Sequence, residues 1–168
     1  HVHDHCCGKG PALKQFAEGL SSEAWGIELD GGRVEEAREA LPESIIVGPA
    51  SFLSNVRCQF RSFGAIWLNP PFDDELGGGR REESSFLSRA TNLLAIGGVM
   101  ALVIPENVID SVREFLLSHY EKITRLNFPA DCRPFKEVLI LAVRRKEPID
   151  YWQNREGGYD LRHPDNTK

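Results

Sequence analysis

The sequence predicts an α/β fold, a three-layer sandwich in which helices cover both faces of a mostly parallel sheet. Two observations carry this expectation. Short apolar runs, several of them β-branched, alternate five times with segments whose apolar residues recur at helical spacing. Near the end, two strand-like runs follow each other with no helix between them. A gap of about eight residues suits an antiparallel hairpin, since a parallel crossover needs about a dozen or more.

Each element has its own signal. Residues 1–5 read as the end of a first strand, broken by Cys6-Cys7-Gly8-Lys9-Gly10. Leu13, Phe16, Ala17 and Leu20 share one face of a first helix. Residues 24–29 form a second strand, and Val34, Ala37 and Leu41 mark a helix stopped by Pro42. Ile45-Ile46-Val47, within residues 44–48, is a β-branched strand, and residues 63–68 are another, closed by Asn69-Pro70-Pro71. Gly77 to Arg81 reads as a connector. Phe86, Ala90, Leu93 and Leu94 predict a helix ended by Gly97-Gly98. Residues 99–104 follow as a strand with Pro105 beyond it. Val108, Val112, Phe115 and Leu116 give a last helix, and residues 122–128 and 136–144 give the hairpin. Trp25 and Trp67 read as core, and His119 and His163 as surface. The expected division is a catalytic domain over 1–146 and a polar tail or linker over 147–168, where Trp152 has no evident role.

Composition sets limits. The 168 residues and 18.8 kDa suit one domain, with ordinary hydrophobic (41%) and charged (27%) content. A formal charge of -5 gives no overall field for a polyanion, so nucleic-acid binding would need a local patch or help from outside this chain. The longest uncharged apolar stretch, 93–104, is too short to span a bilayer, which takes roughly 18 or more residues. No secretory signal pattern is evident at the start of the sequence, and Cys6, Cys7, Cys58 and Cys132 make no Cys-x-x-Cys pair, so a reduced, cytoplasmic protein is expected. Because the chain opens inside its first strand, a preceding segment is expected in the natural protein.

Candidate chemistry gathers at predicted strand ends, where open parallel sheets bind ligands. After the first strand, Gly8 and Gly10 allow a sharp turn close to a ligand. Glu28, at the end of the second strand about 20 residues past that turn, suits the hydroxyls of a ribose; its bland reading is a solvated strand end. Asn69-Pro70-Pro71-Phe72 is the most specific signal. The prolines fix the backbone, so the Asn69 side chain and the Pro70 carbonyl become two acceptors at set positions, as a planar NH2 requires. Phe72 adds an aromatic face for a base. Arg80-Arg81, Arg133 and Lys136 are local basic groups. His1, His3, Asp4, His5, Cys6 and Cys7 are metal-ligand types. Strand alternation nevertheless separates Asp4 from the face of the histidines, and no metal is expected.

The glycine turn, Gly26-Ile27-Glu28 and Asn69-Pro70-Pro71-Phe72, in this order, resemble class I S-adenosylmethionine-dependent methyltransferases. The resemblance runs from His1 to about Arg145 and is closest to the adenine-N6 DNA methyltransferases, marked by Asn/Asp-Pro-Pro-Phe/Tyr/Trp. It implies a Rossmann-like sheet of seven strands with the last antiparallel, and S-adenosyl-L-methionine as cofactor. Asp4 would receive the methionine ammonium, Gly8 and Gly10 would lie beneath its carboxylate, and Glu28 would hold the ribose hydroxyls. Cys6, Leu29, Ser51 and Asn69 complete the implied cofactor set. Pro49 follows Gly48 where the family often has an acid, so Ser51 or a backbone carbonyl would take the adenine amine. Asn69 and Pro70 would orient the target amine, with Pro71 stiffening the loop and Phe72 stacking on a flipped base.

The implied function is methyl transfer to an exocyclic amine, adenine-N6 in DNA, with the DNA held by a region outside this chain or by a partner subunit. The rivals are methylation of a protein glutamine amide or an RNA base, and a catalytically silent module that keeps the fold.

Overall fold

The computed structural model describes residues 1–71, 82–129 and 136–150. Seven strands form one sheet in the order β3-β2-β1-β4-β5-β7-β6. The strands are β1 (Val2–Asp4), β2 (Ala24–Ile27), β3 (Ile45–Val47), β4 (Phe63–Leu68), β5 (Leu94–Pro105), β6 (Tyr120–Asn127) and β7 (Glu137–Arg144). The helices are α1 (Pro11–Gly19), α2 (Gly31–Ala40), α3 (Glu82–Leu93) and α4 (Ile109–His119). Strands β1 to β5 pair in parallel, and β7 lies antiparallel between β5 and β6, as the helix-free final runs predict. Strand order reverses between β1 and β4. A crevice therefore opens beyond the carboxyl ends of these two strands.

Alternation along the strands sorts side chains into two cores. Val2, Ala24, Ile46 and Ala65 face α1 and α2, meeting Leu13, Ala17, Val34 and Ala37. Ile66, Leu68, Met100, Leu102 and Ile140 face α3 and α4, meeting Leu87, Ala90, Val112 and Leu116. At about 25 cal/mol per Å² of apolar surface removed from water, these two layers supply the main drive to fold.

Several expectations change. Gly97-Gly98 do not end a helix. Helix α3 stops at Leu93, and both glycines lie inside β5. Pairing jumps from Phe63 with Leu94 to Ala65 with Val99, so β5 carries a bulge opposite β4. A Cβ on Gly98 would lie 2.8 Å from the Ala95 carbonyl oxygen and 2.9 Å from that of Gly64, which is why glycine sits there. Pro105 belongs to β5 rather than lying beyond it. No helix joins β3 to β4; residues 48–62 cross as irregular backbone. Leu20 lies past the end of α1 and is exposed. Trp25 and Trp67 are half-buried, Trp67 against the Phe16 ring. His119 is half-buried and stacks on Phe115. Beyond residue 146 the chain still packs, because the Ile149 N–H donates to the Ser118 carbonyl at 3.0 Å. Trp152 and His163 lie outside the described residues.

Candidate functional site

The chain leaves β1 through a turn that brings two carboxylates together. Gly8 (φ 56°) and Gly10 (φ 90°) both adopt left-handed backbone, open to glycine at no steric cost. Pro11 then starts α1, where its missing N–H costs nothing. The turn packs onto β2 at Gly26, whose missing side chain leaves room for Cys7: a Cβ there would lie 2.8 Å from Cys7 Sγ.

Glu28 anchors the junction. It is buried, which replaces the reading of a solvated strand end. Oε2 accepts from the Gly8 N–H at 2.9 Å, and Oε1 accepts from the N–H groups of Leu29 (2.9 Å) and Asp30 (2.8 Å). Three backbone donors compensate the lost hydration of this carboxylate and tie β2 to the glycine turn. They also use three of its roughly four acceptor positions. Oε2 keeps room for one hydroxyl, not for two. Asp30, next along, caps α2 by accepting from the Arg33 N–H at 2.9 Å.

Asp4 is buried as well, with Oδ1 accepting from the Cys6 N–H at 2.9 Å. Burial pushes its carboxyl up to about 7; the Cys6 N–H pulls it down, and the charge of Glu28 adds to the rise. Burial pushes the Cys7 thiol up to about 12, with the charges of Asp4 and Glu28 adding to it, so Cys7 is no nucleophile at neutral pH.

Asn69 stands at the carboxyl end of β4, on the other side of the crevice. Asp4 pairs with Trp67 across the sheet, which puts Asn69 level with the turn at Cys6. Asn69 is exposed, Pro70 is buried and Pro71 is exposed. Pro70 thus pins the backbone where it leaves the sheet, and the Asn69 amide is left facing outward. Phe72, Arg80, Arg81, Cys132 and Arg133 lie outside the described residues.

The third wall is the segment leaving β3. The Ala50 N–H donates to the Glu28 carbonyl at 2.9 Å, and the Pro49 ring lies 3.8 Å from the Cβ position at Gly31. Leu29 is exposed beside it. Ser51 accepts the N–H groups of Ser54 and Asn55 at its carbonyl, forming a turn, while its hydroxyl lies 3.4 Å from that of Ser54.

Asp4, Cys6, Gly8, Gly10, Glu28, Leu29, Ser51 and Asn69 therefore all gather at the carboxyl edge of neighbouring strands. His3 and His5 do not join them. Both are buried on the opposite face, with rings 4.3 Å apart among Phe52 and Phe63. Among the described residues no group of three or more His, Cys, Asp or Glu side chains could hold a metal. Cys6, Cys7 and Cys58 are not joined by disulfides. No helix among the described residues is long and apolar enough to cross a membrane. Sequence reasoning missed Arg89. On α3 it donates to the carbonyls of Leu53 (2.5 Å) and Val56 and lies over the Phe52 ring. A single arginine at an amphipathic helix position carries no signal for such a contact.

A family model described as an uncharacterised methyltransferase family (DUF6094) matches residues 1–157. No curated protein matches by sequence. Among solved structures, the chain is similar to a predicted O-methyltransferase from Agrobacterium tumefaciens, with 16% identity, TM-score 0.65, and coverage of 85% of this chain and 73% of the other. A TehB-like SAM-dependent methyltransferase from Corynebacterium glutamicum gives 18% identity, TM-score 0.60, and coverage of 86% and 79%. A geranyl diphosphate methyltransferase in complex with SAM gives 11% identity, TM-score 0.59, and coverage of 85% and 77%. At these identities the structural matches speak for the fold.

Proposed function

The chain belongs to the methyltransferase family DUF6094, and from that premise we propose that it methylates an exocyclic amine, adenine-N6 in DNA, using S-adenosylmethionine. Residues 1–146 are the catalytic domain in this reading. Two matched structures are named for SAM dependence or hold SAM.

What supports the cofactor in this chain is its own donor set. Asp4 is a buried carboxylate suited to an ammonium, and Glu28 has one acceptor position left for a ribose hydroxyl. Leu29 and Pro49 offer apolar surface beside them. When bound, S-adenosylmethionine supplies a methyl group activated by its sulfonium. Asp4, Gly8 and Gly10 hold the amino-acid end, and Glu28 fixes the ribose.

The observation that carries the amine reading is the exposed Asn69 on the buried Pro70, at the reversal of strand order. The Asn69 side-chain oxygen and the Pro70 carbonyl accept the two hydrogens of a planar NH2. Their pull draws the nitrogen lone pair out of the ring and stabilises positive charge as it develops. Holding the nitrogen on a fixed line removes the orientational part of the barrier. Phe72 then stacks on the extruded base. With a net charge of -5, the chain leaves the grip on duplex DNA to a region outside it or to a partner subunit.

Incubation with tritiated methyl donor and a panel of duplex DNA, RNA and proteins tests the reading. Label in DNA, recovered as N6-methyladenine, is expected; label in protein alone would overturn it. Asn69→Ala should lower kcat by at least about a hundredfold while cofactor affinity stays within about twofold. Full turnover by that variant would remove Asn69 from the amine site.

A further inference from the structure

We propose that Arg89 is a positioning residue for the nucleobase end of the cofactor site, acting through the segment that leaves β3. The inference rests on S-adenosylmethionine binding as read above.

Residues 48–62 have no helix of their own, so their place over the sheet must come from elsewhere. One end is tied by Ala50 to the Glu28 carbonyl, next to the carboxylate assigned to the ribose. A ring attached to that ribose therefore falls against Pro49, Ala50 and Ser51. No carboxylate follows Gly48 to accept an adenine amine, so recognition falls to Ser51 or to backbone carbonyls, and either needs a fixed backbone.

Arg89 supplies the fixing. Its Nη1 donates to the Leu53 carbonyl at 2.5 Å, inside the turn, and its Nη2 to the Val56 carbonyl, just after it. The guanidinium carbon lies 4.8 Å from the centre of the Phe52 ring, a cation–π distance. Phe52 packs in turn on His5 (3.8 Å between ring centres) and on Phe86 of α3 (5.8 Å). One planar fork thus holds a segment that lies more than thirty residues earlier in the sequence. A flexible apolar side chain could fill the same space without holding either carbonyl.

The test uses S-adenosylhomocysteine and S-inosylhomocysteine, which differ at the base amine, in calorimetric titration of wild type and Arg89→Met. Wild type should bind the adenosyl compound more tightly, with slower hydrogen exchange over residues 50–56 on binding. Arg89→Met should lose about tenfold or more in adenosyl affinity, and its preference over the inosyl compound should shrink. In Arg89→Ala, which leaves the space open, millimolar ethylguanidinium should restore part of both. An unchanged affinity, or a loss with the preference intact, would reduce Arg89 to a structural contact and overturn the proposal. If the variant does not fold, exchange in the wild type decides: no slowing over residues 50–56 overturns it. If wild type binds neither compound, the cofactor reading fails, and this inference fails with it.

Discussion

Asp4 is a side chain whose chemistry the fold alters strongly. An aspartate in water ionises near 3.9, whereas this one, taken out of water beside Glu28, ionises at about 7. A bound ammonium needs the ionised form, so below pH 7 binding must first expel a proton. Cofactor affinity should therefore rise by up to about tenfold per pH unit toward pH 7. It should fall again above about pH 8, where a free α-amino group loses its charge. Titration calorimetry in buffers of different ionisation enthalpy reads the proton release directly. Asp4→Asn should abolish the rising limb and leave the falling one. A rising limb that persists in the variant would assign it to another group. Three backbone N–H groups donate to the neighbouring Glu28 carboxylate, whereas Asp4 accepts from the Cys6 N–H.

Among the elements, β3 is the most vulnerable: three residues at the edge of the sheet, with Ile45 and Val47 exposed. The Val47 carbonyl accepts from the Glu28 N–H and so faces β2, which leaves the Ile46 carbonyl on the open side. Arg38 of α2 reaches over and donates to the carbonyls of Ile46 and Gly48, each at 3.3 Å, while Glu35 holds its other nitrogen at 2.7 Å. An unpaired strand edge is a template for a second chain, and a charge laid across it blocks pairing. Arg38→Ala should change stability by less than about 1 kcal/mol, yet sedimentation at equal concentration should show a higher average mass than wild type. Equal masses would mean that the edge is protected in some other way. The sequence makes β3 itself evident through Ile45-Ile46-Val47 but is silent on its cover, because a helical arginine ordinarily reads as solvated. The strand ends bearing Asp4, Glu28 and Asn69 are legible for a different reason: breakers and polar residues interrupt apolar runs at fixed intervals. Gly97-Gly98 mislead because glycines that end a helix and glycines that form a bulge look alike in sequence. What holds the segment between β3 and β4 is likewise hidden, since Arg89 does so by contacts more than thirty residues away.

At the scale of the whole molecule, β1 couples the two faces of the sheet through opposite responses to acid. Asp4 faces α1, and His3 and His5 face α3. His3 Nδ1 meets the Trp25 carbonyl at 2.7 Å, while its Nε2 and both nitrogens of His5 are buried without partners. Burial lowers His3 to about 4 and holds His5 well below the usual range, with His3 and Arg89 adding to the effect on His5. The histidines therefore contribute stability above about pH 6.5 that is lost as pH falls toward 4, since the unfolded chain binds their protons first. Asp4 runs the other way. The folded chain takes up its proton at about 7 and the unfolded chain only near 3.9, so acidification through that interval stabilises the fold. Between pH 7 and 5 Asp4 offsets about 2 kcal/mol of the loss at the histidines. Asp4→Asn removes this offset, so the variant should lose more stability than wild type on going from pH 7 to pH 5. Urea midpoints at the two pH values measure the difference. Equal losses in the two proteins would show that Asp4 keeps its charge in the folded chain, and would leave the proton release predicted on ligand binding without a source.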